Sequence, residues 1–202
     1  MRIFIAILIG ILTVQCVQWK ANAANASDAA CTTCSSAMPP GVDDDSMPAL
    51  LQVVRGTSLR KREKYAEALE SLNETVKRFP NCSNAYVQRA FVYQQSGWDE
   101  SGEQSYRDAN HAIQLDATNA LAFILRGNAL REQEQYSNAI ADYGQAIELN
   151  PDSYSAYFNR AVVHYWTDNS SQAKEDLVKA ISLDPPAADR EPMQEALERF
   201  QE

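Results

Sequence analysis

Clusters of positive charge are missing from this sequence, and so are long apolar runs. Its 202 residues carry 18 Lys and Arg against 27 Asp and Glu, a formal charge of −9. Phosphate backbones are held by grouped cations that release counterions, so the composition excludes nucleic acid as the natural partner. No apolar stretch reaches the ~18 residues that cross a bilayer. Glycine, at 7, and proline, at 8, are too few for a collagen-like or turn-dominated chain. Histidine occurs twice, and there is no Gly-x-x-x-x-Gly-Lys loop, Gly-x-Ser-x-Gly elbow or His-Glu-x-x-His helix. Neither an enzyme, a cofactor nor a metal centre is expected. What is present, 45% hydrophobic residues, is enough to fill a core.

Arg2 precedes Ile3 to Val14, apolar except for Gly10 and Thr13, and then comes the small-residue stretch Ala21-Asn-Ala-Ala-Asn-Ala26. A charged start, a short apolar core and an A-x-A pattern predict a secretory signal peptide over 1–26, cut after Ala23 or Ala26. The stretch is short for a retained anchor and is broken by Gln15 and Gln18. A periplasmic or secreted protein is therefore expected, with no stable membrane span after cleavage. Residues 27–48, with Pro39-Pro40-Gly41 and Asp43-Asp44-Asp45, offer too little apolar surface to repay ordering the backbone and are expected to form a flexible tail. Within it, Cys31 and Cys34 read as a local disulfide. They also define the alternative class of function, a redox or metal-handling protein built on this CxxC pair. Zinc needs four ligands, and Cys82 is the one cysteine beyond them in the cleaved chain.

The main signal is self-similarity. Ser83-Asn-Ala-Tyr-Val-Gln-Arg-Ala-Phe, Ala120-Leu-Ala-Phe-Ile-Leu-Arg-Gly-Asn and Tyr154-Ser-Ala-Tyr-Phe-Asn-Arg-Ala-Val align, and Pro151 to Pro185 spans 34 residues. The chain divides into units 49–82, 83–119, 120–153 and 154–187, with a capping helix in 188–202 that starts near Pro192. Three columns are small: Gly56, Ala90, Gly127 and Ala161; Ala68, Ser105, Ala139 and Ala173; Thr75, Ala112, Ala146 and Ala180. Two antiparallel helices must approach closely there, and dense interiors penalise added volume. Tyr86, Phe123 and Tyr157, with Leu72, Tyr143 and Leu177, are the large residues that pack beside them. Pro80, Pro151 and Pro185 end the second helix of their units, and Ala117 takes that place in the second unit. The second unit carries three extra residues around Trp98, expected to bulge from its turn.

This pattern resembles the tetratricopeptide repeat (TPR), a helix-turn-helix unit of that period. The resemblance implies an all-α, right-handed superhelical solenoid of about four repeats plus a terminal cap. It also implies a concave groove, lined by the first helix of each unit, that holds a peptide or a partner's helix. Carried onto this sequence, the groove positions are Val53, Thr57, Val87, Phe91, Leu121, Ile124, Asn128, Phe158, Val162, Tyr165 and Trp166, a mostly apolar lining. Asn128 and Asn159 match two places of the carboxylate clamp that some members use for chaperone tails, but Ile124 stands where its lysine belongs, so the clamp is disfavoured. The expected function is a non-enzymatic adaptor for a protein or peptide, with self-association through the groove as a further expectation.

Two more columns carry charge. Arg55, Arg89, Arg126 and Arg160 recur at one place, and Asp108, Asp142 and Asp176 at another in the last three units. A ligand-binding arginine has no reason to repeat with an acid, so these are expected to be ion pairs inside each unit. His164 falls in a column otherwise filled by Leu59, Tyr93 and Leu130, and is expected to pack rather than catalyse.

Overall fold

The computed structural model describes residues 49–97 and 101–198, with side chains from Gln52 onward. The expected signal peptide, the tail with Cys31 and Cys34, the bulge at 98–100 and the last residues of the cap lie outside that range.

Within it every regular element is a helix. The helices pair as α1 (Ala49–Lys61) with α2 (Tyr65–Arg78), α3 (Ser83–Ser96) with α4 (Ser101–Leu115), α5 (Ala120–Glu132) with α6 (Tyr136–Leu149) and α7 (Tyr154–Trp166) with α8 (Ser170–Ser182). A final helix, α9 (Ala187–Glu198), packs on α8. Each member of a pair also packs against the next unit. The first helices touch one another, α1 on α3, α3 on α5 and α5 on α7, and so form the inner layer of the solenoid.

All twelve residues of the small columns are buried. The glycines show why. A Cβ on Gly127 would stand 2.8 Å from Cε1 of Tyr143, and one on Gly56 would stand 2.7 Å from Cγ of Leu72. Helix crossing and bulky neighbour are thus matched within each unit. In the first unit, Gln52 stands where the others have an aromatic and Thr75 where they have alanine. Both are buried, and the Gln52 amide lies 3.1 Å from Thr75 Oγ1, so the two departures satisfy each other.

Turns follow local chemistry. Ala117 stands where proline ends the other units, and there Asp116 makes the turn instead by accepting from the Thr118 N–H at 2.9 Å. Between first and second helices, Glu63, Glu134 and Asp168 each adopt φ of 59°, and Gly97 adopts 62° in the same column.

The cap departs from expectation at its start. It begins at Ala187 rather than near Pro192, which lies inside the helix. Pro186 offers its carbonyl to the N–H groups of Asp189 and Arg190, so the first turn closes before Pro192 withdraws a donor. Met193 is buried against Ala161, Leu177 and Ala180, with Ala196 and Leu197 beside it. The apolar end of the last repeat is covered this way.

Candidate functional site

The arginine column builds the frame. Arg89, Arg126 and Arg160 each grip the aspartate of their own unit with two prongs, at 2.7 and 2.6 Å to Asp108, 2.8 and 2.7 Å to Asp142, and 2.8 and 2.8 Å to Asp176. The aspartate side chains are only 8 to 9% exposed. Paired this way, a desolvated charge keeps its hydrogen bonds. Each guanidinium also lies over the aromatic ring of its own unit, 5.5 Å from Tyr86, 5.5 Å from Phe123 and 5.8 Å from Tyr157. A third contact crosses between units: Arg89 donates to Asn73 and Arg126 to Asn110, both at 2.9 Å. The asparagine column escaped the sequence reading because it is filled in two units only. The hydrogen bonds to Asp142 and Asp176 hold the Arg126 and Arg160 guanidinia above their ordinary range.

Against this frame the inner face is more polar than expected. Val53, Val87 and Ile124 are buried at 3%, 1% and 7% exposure rather than open lining, and Val87 and Ile124 belong to clusters shared with the next first helix. Leu121 and Phe91 are half-buried and pack against the core of the second and third units. Phe158 packs in the last cluster and edges a cleft of about 230 Å³ between α7 and α9. Val162 is half-buried. Asn128 is committed internally: it accepts from the Tyr143 hydroxyl at 2.8 Å and donates to Gln94 at 3.0 Å, and Gln94 in turn donates to the Leu125 carbonyl at 2.7 Å. Burial pushes the Tyr143 phenol well above its usual range, so it remains a donor. Sequence reasoning chose Asn128 by position and had no sign of its partners, which lie on other helices.

Polar groups fill the space between. Thr57 meets Gln88 at 3.1 Å, and Arg60 donates to Gln95 at 2.9 Å while lying 4.1 Å above the Phe91 ring. In the last unit the end of α7 is aromatic and open. Tyr165 is 57% exposed and Trp166 52%, with the Tyr136 ring 6.0 Å from Trp166 and the Arg131 guanidinium 5.8 Å from it. The first helices thus run from a cationic, amide-rich set on α1 and α3 to an exposed aromatic pair at the end of α7. Cys82 is buried at the start of α3. Among the described residues, no three His, Cys, Asp or Glu side chains converge as metal ligands, and no helix is long and apolar enough to cross a membrane.

Three family models, described as "TPR repeat" or "Tetratricopeptide repeat", match residues 53–109, 127–166 and 154–186, together more than half of the chain. Among curated proteins the chain is similar to Tetratricopeptide repeat protein 6 of Homo sapiens, 29% identical over 59% of this chain and 23% of that protein. It is also similar to Hsp70-Hsp90 organizing protein 1 of Glycine max, 29% identical over 49% of this chain and 17% of that protein. The chain thus spans about a quarter or less of these relatives. Of solved structures, that of MamA matches with a TM-score of 0.58 at 19% identity, over 72% of this chain and 92% of that one, which is a likeness of fold.

Proposed function

Because the chain belongs to the tetratricopeptide-repeat family, we propose that it is a non-enzymatic adaptor, exported from the cytoplasm, that takes a segment of a partner protein on the inner face of its stack. The observation that carries this is the adjacent pair Tyr165 and Trp166. They are two of the three large apolar side chains that stand exposed among the described residues, and they close α7, the first helix of the last unit. Exposed aromatics of this kind anchor interfaces, because each buries a large area at little conformational cost. At the opposite end of the stack the exposed amide of Gln95, on α3, suits an extended backbone, whose N–H and C=O groups need partners.

Export rests on the pattern of residues 1–26. The name of the soybean relative points to chaperone partners for that protein. Here Ile124 replaces the lysine of a carboxylate clamp and is buried, so a chaperone tail held by such a clamp is disfavoured.

The experiment is affinity capture from the extracytoplasmic fraction, with the chain lacking residues 1–26 as bait beside its Tyr165→Ala, Trp166→Ala variant. A protein held by the first bait and lost from the second, with helicity unchanged by circular dichroism, is the expected result. Equal retention by both overturns the surface, and no extracytoplasmic protein held by either overturns the reading.

A further inference from the structure

Trp166 is a donor set among acceptors that are already used. Its indole is half open to solvent, and its Nε1–H meets no acceptor among the described residues. The Arg131 guanidinium lies 5.8 Å from the ring centroid, and no described carboxylate is within ion-pair distance of it. Around these donors the fixed acceptors are engaged. The Val163, His164 and Tyr165 carbonyls that close α7 accept from the N–H groups of Thr167, Asn169 and Asp168. The side-chain oxygen of Gln133, in the turn after α5, accepts from Gln135. Glu132 is turned toward α4, where a Cβ on Gly102 would stand 3.1 Å from its Oε2.

The rings beside these donors set the shape. Tyr136 and Trp166 have centroids 6.0 Å apart and planes inclined at 61°, and Tyr165 stands exposed next to Trp166. A ligand that fits must offer apolar surface to the inclined rings and acceptors to the donors, while bringing few donors of its own. A helix keeps its carbonyls for itself, and a strand brings an N–H for every carbonyl. A proline-rich segment meets both demands. Proline has no N–H, its ring is compact and apolar, and the polyproline II helix leaves every carbonyl unpaired. Its stiff backbone also loses little freedom on binding.

We propose that Tyr136, Tyr165 and Trp166 hold a proline-rich segment of a partner protein in polyproline II form, its pyrrolidine rings against the aromatic faces and a backbone carbonyl accepting from Trp166 Nε1. The proposal rests on the adaptor reading and names the partner's chemistry at the same surface.

The test titrates the full chain into a fluorescein-labelled oligoproline of about ten residues, roughly three turns of that helix, and follows anisotropy. Saturable binding is expected. A glycine-serine peptide, a glutamate-rich peptide and an amphipathic helical peptide of equal length should bind at least about tenfold more weakly. Trp166→Phe keeps a ring but removes the donor, and should weaken the oligoproline about two- to tenfold, the worth of one hydrogen bond. Trp166→Ala should weaken it at least as much. In proton–nitrogen NMR spectra, the indole resonance missing from Trp166→Phe should move downfield as oligoproline is added. No binding, a tighter hold on any of the other peptides, or equal affinity in Trp166→Ala overturns the proposal, and so does binding that leaves that resonance in place. The capture experiment separates this from the adaptor reading. A protein retained by the parent and lost from the Tyr165→Ala, Trp166→Ala bait, with oligoproline unbound, leaves the surface standing and removes only the proline chemistry.

Discussion

A Cβ built on Gly144 would stand 3.8 Å from Nη1 of Arg160, in the column where Asn73 and Asn110 accept from the arginine of the following unit. The ladder therefore lacks its third rung between units. Gly144→Asn should supply it. Asparagine is about 0.5 kcal/mol poorer than alanine inside a helix, whereas a hydrogen bond to a charged group contributes roughly 1.5 kcal/mol or more. In urea unfolding, Gly144→Asn should thus equal or exceed Gly144→Ala in stability, and both should exceed the parent. An asparagine variant that trails the alanine one by its propensity deficit denies the rung.

The left-handed turn residues make an opposite case for glycine. Glu63, Glu134 and Asp168 hold φ of 59° with side chains that resist it, in a column where Gly97 needs no such strain. For an L-residue that conformation costs about 1 to 2 kcal/mol, of which glycine gives back about 0.5 to 1 in chain entropy. Glu134→Gly should raise the thermal midpoint, and the triple variant with Glu63→Gly and Asp168→Gly should raise it further, because each change relieves the backbone of a different turn. Gly97→Ala should lower it, although nothing lies within 4 Å of the added Cβ. A fall in midpoint for Glu134→Gly would show that its side chain contributes more than the backbone loses.

Small columns, prolines and the Arg and Asp columns were all readable in the sequence because each repeats with the period, and a recurring residue type reports a recurring environment. Exposure was not readable. Val53, Val87 and Ile124 occupy places that face the groove in the family scheme, yet here all three are buried, Val87 with Ala122 and Leu125 and Ile124 with Ala156 and Val163 of the next first helix. How tightly those helices close depends on the side chains of two units at once. Asn128 shows the same limit, since its partners Tyr143 and Gln94 lie on α6 and α3 and no spacing rule joins them. Arg60 was passed over because its column is mixed, holding Gln94, Arg131 and Tyr165 in the other units, and its contacts with Phe91 and Gln95 are visible only in three dimensions.

His164 gives a pH dependence with a definite sign. It is half-buried, with Nδ1 shielded from water and unpaired, and burial lowers its pKa against the pull of Asp176. The folded chain therefore favours neutral imidazole, while the unfolded chain takes up a proton near pH 6.5. Its contribution is fully present above that value and is lost as pH falls through the lowered folded value, because the unfolded state then binds more protons. His164→Leu, which restores the residue found at Leu59 and Leu130, should flatten the decline in stability between about pH 6.5 and 5. Denaturant midpoints across that window measure it, and an unchanged slope would place the proton elsewhere.

Gly127 tests whether close helix approach or helix propensity wins. Alanine is intrinsically better in a helix by about 1 kcal/mol, yet here its Cβ would lie 2.8 to 3.1 Å from three atoms of the Tyr143 ring. That ring is fully buried and is tied through its hydroxyl to Asn128 at 2.8 Å, so it cannot swing aside without breaking a buried hydrogen bond. Overpacking of this sort costs about 1 to 3 kcal/mol, enough to cancel or reverse the propensity gain. Gly127→Ala should be destabilised relative to Gly144→Ala, whose Cβ meets only the tip of Arg160 at 3.8 Å. Adding Tyr143→Leu, the residue at the matching place in the first and last units, should recover part of the loss. If the two alanine variants prove equally stable in urea, the small column does not arise from contact between helices.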